Sequence, residues 1–398
     1  MLFETFNKTQ SANSQFSPVL GGNDRGTTEA IYSTIVPITC TMLRFRVRLS
    51  AALGGGNSIT WTVRVNGSNT AMIVTIGGAS DTEDEYVGSI SVSPADIVSI
   101  GHVVTGSPTS KEIEYSFLWN SAARDESFLS GEITAIMQSG TFYLPLAGTS
   151  RTLETIEFNH ESISPGTFTV KNLYVICTSA PGGLHTRTYT LRTNSGATSL
   201  TCAIAGAATS NSDLSHSATI APGDAFTLQH IHTGFGRPTN TYTRYSVAIV
   251  ANATGSVPDT FIVNSANRDN WTVATEYGTP QGAYPNHSST ISQQRQRTPY
   301  RTMMENIHAE VSVAAGALGT RNYTLYDGSD TVLTVGLANT VTKGSTTAHL
   351  TRPIKTDLAI KSNQVGGSPQ TPVAHVSMLA RVGRVKDIIQ HGVIPFER

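Results

Sequence analysis

The chain has 398 residues, a formal net charge of −1 and only 14% charged side chains, so no extended field draws it to nucleic acid or to an acidic membrane. Its apolar runs are short and interrupted, and none approaches the roughly 18 residues of a membrane-spanning helix. Gly (35 residues), Thr, Ser, Val and Ala dominate and aromatic residues are only 7%, the composition of many short strands joined by turns. This length exceeds one ordinary core and implies two or three domains.

The opening stretch "MLFETFNKTQSANSQ" has neither a basic n-region nor an apolar h-region, so no secretory signal is expected. Residues 1–28 are polar and turn-rich, an arm of the kind that a partner orders. Strands are predicted over 30–38, 42–50, 58–65, 71–76, 86–92, 97–104 and 112–119, separated by Gly/Ser/Asn/Asp clusters. In "LRFRVRLS" (43–50), period two sets Leu43, Phe45, Val47 and Leu49 on one face and Arg44, Arg46 and Arg48 on the other. "SDTEDEY" (80–86) gathers Asp81, Glu83, Asp84 and Glu85 in an expected loop. It lacks calcium-loop spacing and reads more simply as a solvated acidic turn.

"SVSPADIVSI" (91–100) is a β segment, a Pro-x-Asp corner and a second β segment, and "TIAPGDAFTL" (219–228) writes the same phrase again. With the corners aligned, "ITWTVRVNGS" (59–68) lies over "RTYTLRTNSG" (187–196), His102 over His230, and "YSFLW" (115–119) over "YSVAI" (245–249). A weaker third copy keeps Tyr323-Thr324-Leu325, an Asp at the corner in "IKTDLAIK" (354–361), and "HVSML" (375–379). The chain therefore reads as three modules of about 125–140 residues, head to tail. Expected boundaries are an arm at 1–28, modules at 29–128, 129–270 and 271–383, and a tail at 384–398.

Seven or eight short strands per module predict an all-β chain of three tandem antiparallel β-sandwiches. Pro presets the turn at each corner and Asp bonds nearby N–H groups, so Asp96, Asp224 and Asp357 are assigned a structural part at a strand start rather than a catalytic one. "NSAARD" (120–125) and "NSANRD" (264–269) look like a junction device between modules.

Signatures of an enzyme are missing from the sequence: no G-x-S-x-G, H-E-x-x-H, Walker loop or C-x-x-C is found. Neither a catalytic residue nor a cofactor is expected. His230 and His232 share a strand face at a spacing that a metal site can use, but no carboxylate or cysteine accompanies them. "SDLSH" (212–216) holds Ser, Asp and His in one short stretch, where a relay cannot assemble. Cys40, Cys177 and Cys202 are read as free, buried thiols. "QQRQRTPYR" (293–301) is the densest basic run; it reads first as a solvated stretch, with Arg295, Arg297 and Arg301 as candidate docking contacts to an acidic capsid surface.

The order of strand, small-residue loop, aromatic-Thr-aliphatic strand, Pro-x-Asp corner and closing Tyr-Ser strand resembles single jelly-roll modules of the tumour-necrosis-factor or C1q-like type in bacteriophage virion proteins. "WTVRVNGSNTAMIVTI" (61–76), "SVSPADIVSI" and their second copies carry the resemblance. It implies jelly-roll modules and a non-enzymatic virion protein, made in the host cytoplasm and located on the capsid surface; three joined copies could further pack with pseudo-threefold symmetry in one chain. Its expected partners are the major capsid protein or other virion proteins, not nucleic acid or membrane, and its expected state is a homo-oligomer or a pseudo-trimeric monomer. Decoration or cementing of the shell is the first reading. A head fibre or tail protein binding a receptor or glycan is the alternative, with Trp119, Trp271 and "GAYPNH" (282–287) as its only sugar-binding aromatic candidates.

Overall fold

Among the described residues, segments alternating between apolar and polar pair into six sheets, two to each of three consecutive sandwiches. The computed structural model describes residues 8–9, 15–20, 25–109, 111–123, 125–133, 139–150, 153–234, 241–251, 260–267, 275–278, 289, 296–297, 302–353, 356–367, 370 and 372–381.

The first sandwich comprises β1 (Lys8–Thr9), β2 (Gln15–Pro18), β3 (Thr34–Ile35), β4 (Cys40–Leu49), β5 (Ser58–Val65), β6 (Ser68–Gly77), β7 (Glu83–Val92), β8 (Ile97–Thr105) and β9 (Glu112–Ser121). They pair in the orders β1-β9-β4-β7 and β2-β8-β5-β6, with β3 also on β8. From β3 to β9 each strand crosses to the other sheet except at the β5–β6 hairpin, in the manner of a jelly roll.

The second sandwich repeats this with β10 (Glu126–Ile133), β11 (Gly140–Leu144), β12 (Gly148–Ser150), β13 (Ser162–Ile163), β14 (Phe168–Cys177), β15 (Thr186–Thr193), β16 (Gly196–Ala205), β17 (Ser210–Ile220), β18 (Ala225–Thr233) and β19 (Thr243–Ala251). Its orders are β12-β10-β19-β14-β17 and β11-β18-β15-β16, with β13 on β18 and the added β12 parallel to β10.

The third uses β20 (Thr260–Asn267), β21 (Glu276–Gly278), β22 (Gln296–Arg297), β23 (Thr302–Val311), β24 (Thr320–Tyr326), β25 (Asp330–Ala338), β26 (Lys343–Arg352), β27 (Asp357–Val365) and β28 (Ala374–Arg381). Its orders are β20-β28-β23-β26 and β21-β27-β24-β25, with β22 on β27. The fold is three tandem jelly rolls.

Strand pairing departs from the expected boundaries. β2 lies in the segment read as an arm, yet it pairs with β8. β10 begins before position 129, and β20 falls inside the span assigned to the second module although it pairs with β28. The opening strand of each sandwich is bound to its closing strand, a contact of high sequence separation that local periodicity does not register. "NSAARD" begins with the last two residues of β9 and ends just before β10, whereas the first four residues of "NSANRD" are inside β20. The two copies are not equivalent.

The opening segments also belong to the repeat. Phe16, Tyr143 and Tyr277 occupy one position, opposite Gly101, Gln229 and Lys361 of the neighbouring strand. Arg64 lies 5.5 Å over the Phe16 ring and Arg192 lies 5.7 Å over Tyr143. Glu29 and Glu157 bind these same arginines, at 2.8 and 2.7 Å respectively. The third copy substitutes Tyr326, which meets Tyr277 edge-on at 5.3 Å.

A bulge corrects the expected face of "LRFRVRLS". Arg44, with φ 48°, shifts the register between Leu43 and Phe45. Cys40, Met42, Phe45, Val47 and Leu49 therefore point into the core, and Leu43 moves to the other side. Asn172 (φ 53°) and Asn306 (φ 55°) make the same bulge in the other sandwiches. One extra residue reverses which later residues face inward.

Trp61, Tyr189 and Tyr323, the aromatic residues of the repeated triplet, are fully buried. A large apolar side chain so placed contributes about 1.5–3 kcal/mol. Phe45 stacks on Phe117 at 4.6 Å, and Trp119 meets Phe128 at 5.2 Å, continuing the apolar interior from the first sandwich into the second.

Candidate functional site: the joints between the sandwiches

The repeated corner is a two-residue clasp. Asp96 accepts the Ser93 N–H at 2.8 Å and the Asn66 side-chain amide at 2.7 Å, while Asn66 accepts the Ile97 N–H at 2.9 Å. Asp224 and Asn194 repeat the set: Ala221 N–H at 2.8 Å, the Asn194 amide at 2.7 Å, and Ala225 N–H to Asn194 at 3.0 Å. Asn66 and Asn194 are left-handed turn residues (φ 51° and 46°), a conformation that Asn tolerates better than most. One residue type thus closes the hairpin and holds the corner.

Asp357 starts β27 but is engaged differently, receiving Arg48 of the first sandwich at 3.4 Å. The matching turn in the third sandwich is one residue longer, and its Asp327 pairs with Arg352. Replacing Asp224 or Asp96 with Ala is expected to cost about 1–3 kcal/mol through the lost charge-assisted bonds, whereas Asp357→Ala should act through the joint with the first sandwich. Urea midpoints of the three variants, together with limited proteolysis that locates the loosened segment, check this.

Other candidate residues take ordinary structural places. Glu83, Asp84 and Glu85 lie on a strand rather than in a loop, where alternate side chains diverge; Glu85 is held by Arg46 at 2.8 Å and Arg44 at 3.4 Å. Among the described residues no group of three or more His, Cys, Asp or Glu is arranged to hold a metal ion. In "SDLSH", Asp213 and Ser215 both meet the same His216 nitrogen, Nδ1, at 3.0 and 3.1 Å. A relay needs them on opposite ring nitrogens. Burial works to raise the Asp213 pKa, but the Thr201 N–H and the His216 ring outweigh it and hold the carboxyl down to about 2.

The three thiols are free and buried, and burial pushes Cys40 and Cys202 up to about 12. Trp119 is a core residue, so it cannot stack on a sugar. Trp271, 282–287, Arg295 and Arg301 lie outside the described residues, and of Arg297 only the backbone is described, paired with Asp357.

His230 and His232 point into the second sandwich. His230 packs between Phe142 (6.2 Å) and Tyr189 (5.0 Å), and His232 stacks on His185 at 5.1 Å. Burial, with Arg187 and His232 nearby, pushes His230 down to about 3. His232 is lowered by burial and by His185 and Arg187.

The closing strands β9, β19 and β28 are buried on both faces. Tyr115, Phe117 and Trp119 fill the first core, while Glu114, Ser116 and Leu118 face outward; Arg244-Ser246-Ala248 and His375-Ser377-Leu379 are their counterparts. Each outward face meets the preceding sandwich. β3 of the first packs on β19 of the second, β13 of the second on β28 of the third, and β22 of the third on β9 of the first. The joints therefore close a ring.

Polar contacts cross every joint. Arg244 donates to the Ser33 hydroxyl, and the Asn172 amide donates to the Pro37 carbonyl at 3.3 Å. His375 Nε2 donates to the Phe158 carbonyl at 2.6 Å, and Lys343 Nζ reaches the Gly223 carbonyl at 3.0 Å. Arg48 bridges Glu114 at 2.5 Å and Asp357 at 3.4 Å. The sequence signal for these faces was an absence of alternation in "TRYSVAIVA" (243–251), which reads equally as any doubly buried strand.

No family model and no curated protein matches the chain. Among solved structures it is similar to a chain from the atomic structure of Sulfolobus Turreted Icosahedral Virus (12% identity, TM-score 0.20, 96% of this chain and 89% of that one). It is also similar to a chain from a structure titled the triple jelly roll fold and turret assembly in an archaeal virus (13% identity, TM-score 0.18, 95% and 88%). Likeness at this level sets no function.

Proposed function

We propose that the chain is a non-enzymatic structural protein of a virus particle, a decoration or cement protein seated on the outer shell against the major capsid protein. The closed ring of three jelly rolls carries this reading, because one chain then offers a pseudo-threefold body to a threefold or quasi-threefold position of a shell. The motif resemblance of the first two modules to virion jelly rolls supports it. Repetition of each contact by shell symmetry lets modest single-site affinity suffice. Arg295, Arg297 and Arg301 are carried forward as contacts to an acidic shell surface. The glycan-binding alternative loses Trp119, which belongs to the core.

Particles carrying an affinity-labelled chain, imaged as a density map, test the proposal. Copies arrayed regularly over the shell are expected; copies confined to the tail, or none on the particle, would reject it.

A further inference from the structure

Cross-strand register identifies one position that differs at every joint. Glu114 lies opposite Arg48, Arg244 opposite Ile176, and His375 opposite Glu310, on equivalent strands of the three sandwiches. All three are buried, at 9%, 4% and 0% exposure. An acid, a guanidinium and an imidazole thus stand where the neighbouring outward position is serine in every copy, Ser116, Ser246 and Ser377. Each group has a different complement across its joint: the Asp357 carboxylate reached through Arg48, the Ser33 hydroxyl, and the Phe158 carbonyl.

We propose that Glu114, Arg244 and His375 with their cross-strand partners are address residues, which fit each closing face to the edge of the adjoining sandwich of the same chain. The polypeptide thereby closes as a monomeric ring and rejects exchange with a second copy. This does not depend on the virion reading.

Two wrong pairings show the discrimination. A third sandwich that docked on the third sandwich of another copy would set Glu310, the counterpart of Arg48 and paired on its own sheet with Lys343 at 3.2 Å, against Asp357, two carboxylates at an enclosed joint. A first sandwich that docked on a second would set Glu114 against the Phe158 carbonyl, acceptor against acceptor. Like poles set face to face in a buried joint are unfavourable, and specificity of this kind rests on such repulsion as much as on attraction. Three sandwiches with one shared address would lack it, and chains could trade modules or polymerise.

The test mixes two full-length chains with different affinity tags, unfolds and refolds them together, and measures mixed-tag recovery alongside mass by light scattering. The wild type is expected to return as monomers, with the tags separate. H375E combined with E310R gives the third sandwich the first sandwich's address, and should raise mixed-tag recovery at least tenfold. Mixed wild-type oligomers would overturn the proposal, as would a transplanted variant that refolds with wild-type circular dichroism and stays monomeric. If that variant fails to fold, Glu310→Ala, which removes the carboxylate that would face Asp357 together with its ion pair to Lys343, decides by the same readout: a tenfold rise supports the proposal and no rise defeats it.

Discussion

Acidification from pH 7 to pH 4 is expected to destabilise the protein, first in the second sandwich. His230 is buried against Phe142, Tyr189, Arg187 and His232, and its folded-state pKa is held down to about 3. The unfolded chain titrates near 6.5, so the stability due to the neutral ring is complete above that pH. It is lost as pH falls from about 6.5 towards 3, because the unfolded state binds the proton first. By pH 4 the loss from this one group is on the order of 3 kcal/mol.

His375 works in the same direction at the joint of the second and third sandwiches. Burial depresses it to about 4, against the help of its bond to Phe158 and with Lys343 adding to the depression. Glu161 opposes both. Burial, Glu157 and Glu310 raise its pKa to about 7, so the folded state gains proton affinity there between about pH 7 and 4.5. The steep loss therefore falls below about pH 5.

Thermal midpoints measured across pH 4–7, with hydrogen exchange to locate the opening, check the prediction. His230→Phe, which keeps a ring between Phe142 and Tyr189, should flatten the profile. A variant whose midpoint falls with pH as steeply as the wild type would remove His230 from the account.

Arg244→Ala is expected to destabilise the chain by about 3–5 kcal/mol, well beyond the loss of one surface charge. Arg244 lies directly across the strands from Glu132, which is itself buried. Burial alone lowers the Arg244 pKa to about 10, against the pull of Glu132. Removing the guanidinium leaves that carboxylate enclosed with its counter-charge gone, and also deletes the bond to Ser33 across the joint. Adding Glu132→Gln should recover a large part of the loss, since it removes the stranded charge while keeping the shape. Urea unfolding of the two single variants and the double variant gives the coupling directly. Additive effects would mean that the two charges are not acting as a pair.

The corner phrase was legible because its physics is local. Pro94-Ala95-Asp96 and Pro222-Gly223-Asp224 differ in one residue, and each closes onto an Asn 30 positions upstream, Asn66 or Asn194. The partner of that clasp was hidden, although the alignment already set the two Asn in register. The opening strands were missed for another reason. Phe16, Tyr143 and Tyr277 sit in short strands whose neighbours differ in all three copies, so a single aromatic carried the whole signal.

From residues alone came the all-β class and the threefold repetition, since alternation and turn chemistry act over a few residues. Tertiary structure decided the bulge that turns Leu43 outward, the membership of β10 and β20, the pairing of Arg48 with Asp357, and the closure of the ring. Those outcomes depend on which distant surfaces exclude water together. A strand such as β19, apolar on both sides, announces that it is covered twice but not by what.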